Sequence, residues 1–203
     1  MGLDKDTSNI DGMNGLERAL KRVGDVLGAI LLLVVLSPLY LYIYVRQRMD
    51  GSGPVIYSQE RIGQGGKPFK IFKFRTMVVD AEKDGVPQLE QDDDPRLTEF
   101  GKVLRKHHLD ELPQIWNVLK GDMSFVGYRP ERQYFIDKIM EQNPDYRLLY
   151  QSTPGVTSLA TIENGYTDTM EKMLRRLDMD LYYLRNRSLW MDAKIIFKTI
   201  FNL

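Results

Sequence analysis

Apolar residues recur along this chain in three rhythms. The first is continuous: residues 26–45 form a stretch of 20 positions without a charge, interrupted only by Gly28, the Ser37–Pro38 pair and the tyrosines Tyr40, Tyr42 and Tyr44. As a helix, such a run matches the roughly 30 Å hydrocarbon layer of a bilayer. It is too long for the apolar region of a secretory signal, and no small-x-small cleavage site follows it. Pro38 lies inside the run, where a proline removes a backbone donor and bends or breaks a helix. Arg18, Lys21 and Arg22 precede the run and Arg46 and Arg48 follow it. Positive residues favour the cytoplasmic side, so basic flanks at both ends suit a hairpin that enters and leaves by one face. A spanning helix and a buried core helix are the two alternatives.

The second rhythm is extended. Residues 50–54 read as a turn leading into Val55-Ile56-Tyr57, Gly63-Gln64-Gly65-Gly66 is a second turn, and 69–79 is a strand candidate rich in aromatic and β-branched residues. The third rhythm is helical. A short helix is predicted over 97–106. Leu112, Ile115, Trp116 and Leu119 keep helical spacing up to a stop at Gly121. Pro130 is predicted to open a helix that ends near Asn143–Pro144. Met170, Met173, Leu174, Leu177, Leu181 and Leu184 mark an amphipathic helix. Ser188 caps a last one, which carries Trp190, Ile195, Ile196, Phe197, Ile200 and Phe201 beside Lys194 and Lys198. That helix suits either a core face or a membrane surface with snorkelling lysines. Between them, 80–95 hold seven acids against one lysine and read as a solvated loop. The expected fold class is α+β, mostly helical, with a small β-hairpin, amphipathic interfacial helices and an N-terminal helix-break-helix. The expected organisation is a lead-in (1–22), a re-entrant membrane segment broken at Ser37 and Pro38 (23–48), and a cytoplasmic catalytic domain (49–203).

Composition narrows the chemistry. The 203 residues carry 28 Lys+Arg and 28 Asp+Glu, and this zero balance argues against a nucleic-acid partner. With no cysteine, disulfides, thiolate metal sites and cysteine nucleophiles are excluded. The two histidines, His107 and His108, are too few for a multi-histidine metal site and read as structural.

Three places combine residues suited to phosphate chemistry. Between Arg61 and Arg75 lie five basic residues and no acid. In a strand, Lys73 and Arg75 share one face and could clamp a phosphate; an exposed basic strand near anionic lipid is the competing reading. Asp110 and Glu111 precede a helix with Pro113 in its first turn. Capping explains them; so does a nucleophilic aspartate beside a glutamate that holds a divalent cation. Arg105 lies five residues upstream. In Gly127-Tyr128-Arg129-Pro130 the proline biases Arg129 to extended geometry and aims its side chain.

The strings YSQERIGQGGKPFKIFKFRTM (57–77), LRKHHLDELPQIWNVLKGDMSFVGYRPE (104–131), TPGVTSLA (153–160) and MDLYYLRNRSLWMDAKIIFKT (179–199) resemble the bacterial sugar transferase family, the monotopic phosphoglycosyl transferases, over roughly residues 15 to 203. The resemblance implies transfer of a sugar 1-phosphate from a UDP-sugar to a polyprenyl (undecaprenyl) phosphate, with release of UMP. This is the first membrane step of bacterial glycoconjugate synthesis. It implies that Asp110 is a nucleophile forming an aspartyl-phosphosugar, with ping-pong kinetics, and that Glu111 and Asp110 hold Mg²⁺ (or Mn²⁺). It implies phosphate-binding roles for Lys73, Arg75, Arg105 and Arg129, a family acid at Asp192 in the substrate site, and a membrane-helix break at Ser37–Pro38. It further implies a membrane-lipid partner, compatibility with a homodimer, and a monotopic location in the bacterial inner membrane with the catalytic domain on the cytoplasmic face. The chain departs from the family pattern at Tyr128, where proline is usual, and in Ile162-Glu163-Asn164-Gly165-Tyr166, which lacks an Asn-Gly-Arg arginine. A different class of function, a non-catalytic membrane-anchored basic module that binds anionic lipid or a partner protein, would use Lys67, Lys70, Lys73 and Arg75 without need of the Asp-Glu pair.

Overall fold

Asn14 opens the first helix with a capping box: its side chain accepts from the Glu17 amide while the Glu17 carboxylate takes the Asn14 amide. The computed structural model describes residues 9–50, 53–79, 81, 94–164 and 169–202; most of the predicted acidic loop, and Gly165–Tyr166, fall outside them. Helix α1 (Gly15–Val35) runs into α2 (Ser37–Met49) with a bend of 59°. The bend has a local cause. Pro38 lies in the first turn of α2 and brings no amide donor, and the Ser37 hydroxyl takes the carbonyl of Val34 at 2.8 Å. No single described helix is long and apolar enough to cross a membrane, but the bent pair passes on length and composition when its limbs are taken together.

The hairpin pairs β1 (Ile56–Ile62) antiparallel with β2 (Pro68–Phe74), with Tyr57 opposite Lys73. Strand β2 is shorter than the predicted 69–79. The stretch beyond Phe74 leaves β1 and meets the approach to α3 (Glu99–Lys106), where Met77 bridges Leu97. Thr98 caps α3. Helix α4 (Gln114–Lys120) ends at Gly121, whose φ of +95° is one that glycine adopts without strain. Strand β3 (Ser124–Val126) pairs in parallel with β4 (Gly155–Thr157), a second sheet that the sequence reading did not predict. The close approach there needs glycine: a Cβ on Gly127 would lie 2.4 Å from the Thr153 carbonyl oxygen.

Helix α5 (Gln133–Gln142) starts later than predicted. Pro130 does not open it, because Glu131 is drawn away: its carbonyl accepts the Ile62 amide and its carboxylate is held by two arginines. Helices α6 (Leu159–Asn164), α7 (Met170–Asn186) and α8 (Leu189–Asn202) complete the chain, with the Ser188 hydroxyl capping α8 through the Met191 amide. The largest core packs α5 and α7 around Tyr128, Ile136, Ile139, Leu149 and Leu177. A second packs α1 through Ala29 onto Ile71, Ile115 and Val118. Helix α8 combines the two predicted environments: Ile195 is buried against Val126 and Tyr183, whereas Trp190, Phe197, Ile200 and Phe201 are exposed.

One turn of α1 ties the bent pair to three other elements. Lys21 bonds Asp192 of α8 at 2.5 Å, Arg22 donates to the Val118 and Leu119 carbonyls that end α4, and Asp25 accepts the Phe125 amide of β3. Two residues of the basic flank that reads as a topology signal, Lys21 and Arg22, are therefore turned inward.

Candidate active site

The acidic pair lies at a sharp corner. Helix α3 ends at His107, and His108 takes a left-handed conformation (φ +52°), which redirects the chain into a 3₁₀ turn over Leu109–Glu111. Histidine is among the residues that tolerate this region. Asp110 therefore belongs to that turn and is not a cap: α4 begins at Gln114, with Pro113 before it and no side-chain cap.

Both acidic side chains are largely shielded, and Lys73 and Arg129 converge on them. Lys73 Nζ lies 2.9 Å from Glu111 Oε1 and 3.9 Å from Asp110 Oδ2, and Arg129 Nη2 reaches the same Glu111 oxygen at 3.2 Å. Burial pushes the Glu111 carboxyl up, but the two cations outweigh it and hold the group well below the usual carboxylate range. Glu111 is thus ionised at any physiological pH.

Asn117 of α4 sets where Lys73 emerges. Its buried side-chain amide mimics a third strand on the free edge of β2, accepting the Phe72 amide at 3.1 Å and donating to the Lys70 carbonyl at 2.7 Å. The helix that follows the acidic pair therefore grips the strand that carries its lysine.

Arg129 is set by the residues around it. Tyr128, which replaces the usual proline, is buried in the main core, and its carbonyl accepts the Gly155 amide. Glu131 bonds Arg61 of β1 at 3.0 Å and Arg176 of α7 at 2.7 Å. Asp180 of α7 accepts the Arg129 amide, and burial pushes its carboxyl up to about 7. The turn therefore gains from its neighbours the fixity that a second proline would otherwise give.

Of the residues singled out from sequence, the structure brings Asp110, Glu111, Lys73 and Arg129 together. Arg105 lies in the last turn of α3, just before the His107–His108 corner. Arg75 lies past the end of β2; it lines a cavity of about 450 Å³ with Arg46, Gln47 and Phe100, and its guanidinium rests on Gly53. Asp192 is engaged by Lys21 and by the Tyr183 hydroxyl, both at 2.5 Å. Asn117, Glu131 and Asp180 were missed. All three lie inside the strings that carry the resemblance, but nothing local marks an asparagine as a strand mimic.

Mg²⁺ is ordinarily held by one or two carboxylates together with substrate phosphates and water. The adjacent Asp110 and Glu111 fit that pattern. Among the described residues no group of three or more acidic or histidine side chains forms a metal cage of its own.

Comparison with known proteins adds the rest. The family described as bacterial sugar transferase matches residues 16–203. The chain is 41% identical over 181 residues (89% of this chain, 43% of the relative) to the UDP-N-acetylgalactosamine-undecaprenyl-phosphate N-acetylgalactosaminephosphotransferase of Aeromonas hydrophila. It is 43% identical over 191 residues (93% and 41%) to the UDP-glucose:undecaprenyl-phosphate glucose-1-phosphate transferase of Klebsiella pneumoniae. It is 41% identical over 182 residues (89% and 68%) to the protein of the same name from Caulobacter vibrioides. The chain thus spans about two-fifths of the length of the first two relatives and about two-thirds of the third.

Proposed function

The chain belongs to the bacterial sugar transferase family, and from that premise we propose that it moves a sugar 1-phosphate from a UDP-sugar to undecaprenyl phosphate. The observation that carries this reading is the corner itself: two adjacent, shielded carboxylates with a lysine 2.9 Å from one and 3.9 Å from the other, and an arginine at 3.2 Å.

In the first half-reaction an Asp110 carboxylate oxygen attacks the β-phosphorus of the donor. The new O–P bond forms as the bond to the bridging oxygen breaks, and UMP leaves with that electron pair. The acyl phosphate remains on Asp110. In the second half-reaction an oxygen of the lipid phosphate attacks the same phosphorus, and the aspartate carboxylate leaves. Lys73 and Arg129 offset the negative charge that would otherwise repel a diphosphate from two carboxylates. Glu111, kept ionised, fixes both cations. When bound at Asp110 and Glu111, Mg²⁺ would neutralise charge on the diphosphate.

The bent helix pair supports a monotopic placement in the bacterial inner membrane. A segment that enters and returns by one face holds the carboxylates at the headgroup layer, where a soluble nucleotide and a lipid phosphate can meet. A non-catalytic basic module would have no use for a buried acidic pair held by two cations.

The test is UMP release from UDP-glucose, UDP-galactose and UDP-N-acetylgalactosamine with undecaprenyl phosphate and Mg²⁺. Turnover is expected with at least one donor, and Asp110→Asn is expected to abolish it. UMP release by none of the three, or full activity in a folded Asp110→Asn protein, overturns the reading.

A further inference from the structure

The two limbs of the bent helix pair hold α4, the helix that follows the acidic pair, at its two ends. At the far end, Arg22 of α1 donates to the Val118 and Leu119 carbonyls at 2.6 and 2.8 Å. At the near end, the Tyr40 hydroxyl of α2 donates to the Leu112 carbonyl at 2.5 Å. Leu112 is the residue after Glu111. The Tyr40 ring also packs on Phe74, with centroids 5.5 Å apart and planes tilted by 60°, and Phe74 is the residue after Lys73. One side chain from the bent pair therefore touches the chain next to the acidic pair and the chain next to its lysine.

We propose that Tyr40 is a positioning residue for the transfer reaction, fixing the separation between the Asp110–Glu111 turn and Lys73. This rests on the function proposed above. Tyr40 touches no reacting group; it acts through the two backbone segments that carry them. The Leu112 carbonyl also accepts the Ile115 amide at 3.0 Å, so removing the hydroxyl leaves that carbonyl partnered. Loss of the hydroxyl therefore frees the turn to shift without unfolding it. Displacements of about 1 Å between reacting groups can cost on the order of a hundredfold in rate.

The experiment compares wild type, Tyr40→Phe and Tyr42→Phe, the last removing an exposed hydroxyl on the same helix. Wild type with donor and no acceptor should give a burst of UMP as the aspartyl-phosphosugar accumulates. Tyr40→Phe is expected to slow the burst about tenfold with its amplitude preserved, to lower kcat to match, and to change the donor KM by less than twofold. Tyr42→Phe should behave as wild type. A burst in Tyr40→Phe of normal rate but reduced amplitude would mean a smaller folded fraction and would overturn the proposal. So would wild-type kinetics in Tyr40→Phe, or a loss carried wholly by KM. A wild type that releases no UMP from any donor is a separate outcome, and it overturns the transfer reading on which this one stands.

Discussion

Asp180 and Glu131 are carboxylates in one buried cluster, and their surroundings push them in opposite directions. Burial raises both, and for Glu131 the attraction of Arg176 and Arg61 prevails and holds it down. For Asp180 burial prevails, aided by the charge of Glu131 and opposed by Arg176 and Arg129, and its carboxyl titrates at about 7. A carboxyl whose folded value lies above its unfolded value contributes stability that is complete below about pH 4 and is lost as pH rises through about 7. Three pH units correspond to on the order of 4 kcal/mol as an upper bound. Asp180→Asn mimics the protonated acid without that loss. We expect its thermal midpoint to exceed that of wild type at pH 8 and to converge on it near pH 4.5. The same difference at both pH values would show that Asp180 does not titrate in this range. Glu131 has the opposite sign: its stabilisation is present above the unfolded carboxylate range and is lost in acid.

The hairpin and α4 form one unit, because the Asn117 amide completes the free edge of β2. Replacing it with alanine takes the side-chain partner from the half-buried Phe72 amide and from the Lys70 carbonyl at the sheet edge. Asn117→Ala should therefore lower the unfolding free energy by roughly 1–3 kcal/mol, read as a reduced denaturant midpoint at unchanged slope. A change under about 0.5 kcal/mol would mean that water replaces the amide on that edge. The element boundaries show the same logic. Thr98, Gly121 and Ser188 act as the end signals their residue types suggest. Pro130 does not, because the next residue, Glu131, is recruited by Arg61 and Arg176 from elements far along the chain.

At the scale of the whole molecule, the outer faces of α1 and α8 carry the exposed apolar surface: Leu20, Val23, Leu27, Leu31 and Val34 on one, Trp190, Phe197 and Phe201 on the other. Surface of this extent on a folded chain marks contact with a partner or a membrane, and the proposed placement puts both faces in lipid. The absence of cysteine makes topology directly measurable. Single cysteines replacing Leu16, at the start of α1, and Met49, at the end of α2, are both exposed positions. In sealed inverted vesicles an impermeant maleimide should label both from the cytoplasmic side. Labelling of the two from opposite sides would replace the re-entrant reading with a spanning helix.

Sequence alone determined what depends on neighbours along the chain. The uncharged run with its Ser37–Pro38 break, the helix ends at Gly121 and Ser188, the hairpin, and the proximity of Asp110 to Glu111 all follow from residue type and spacing within a few positions. The strings shared with the family pointed to Lys73 and Arg129 as their companions. Tertiary structure decided which polar groups meet across long separations. It turned Lys21 and Arg22 inward, set Asp192 against Lys21 and Tyr183, placed Arg75 past the end of β2, paired β3 with β4, and gave Asn117, Glu131 and Tyr40 their partners. Such contacts leave no periodic trace, because burial of a polar side chain is favourable only where a complementary group from another element meets it, and that condition is met only once the chain has folded.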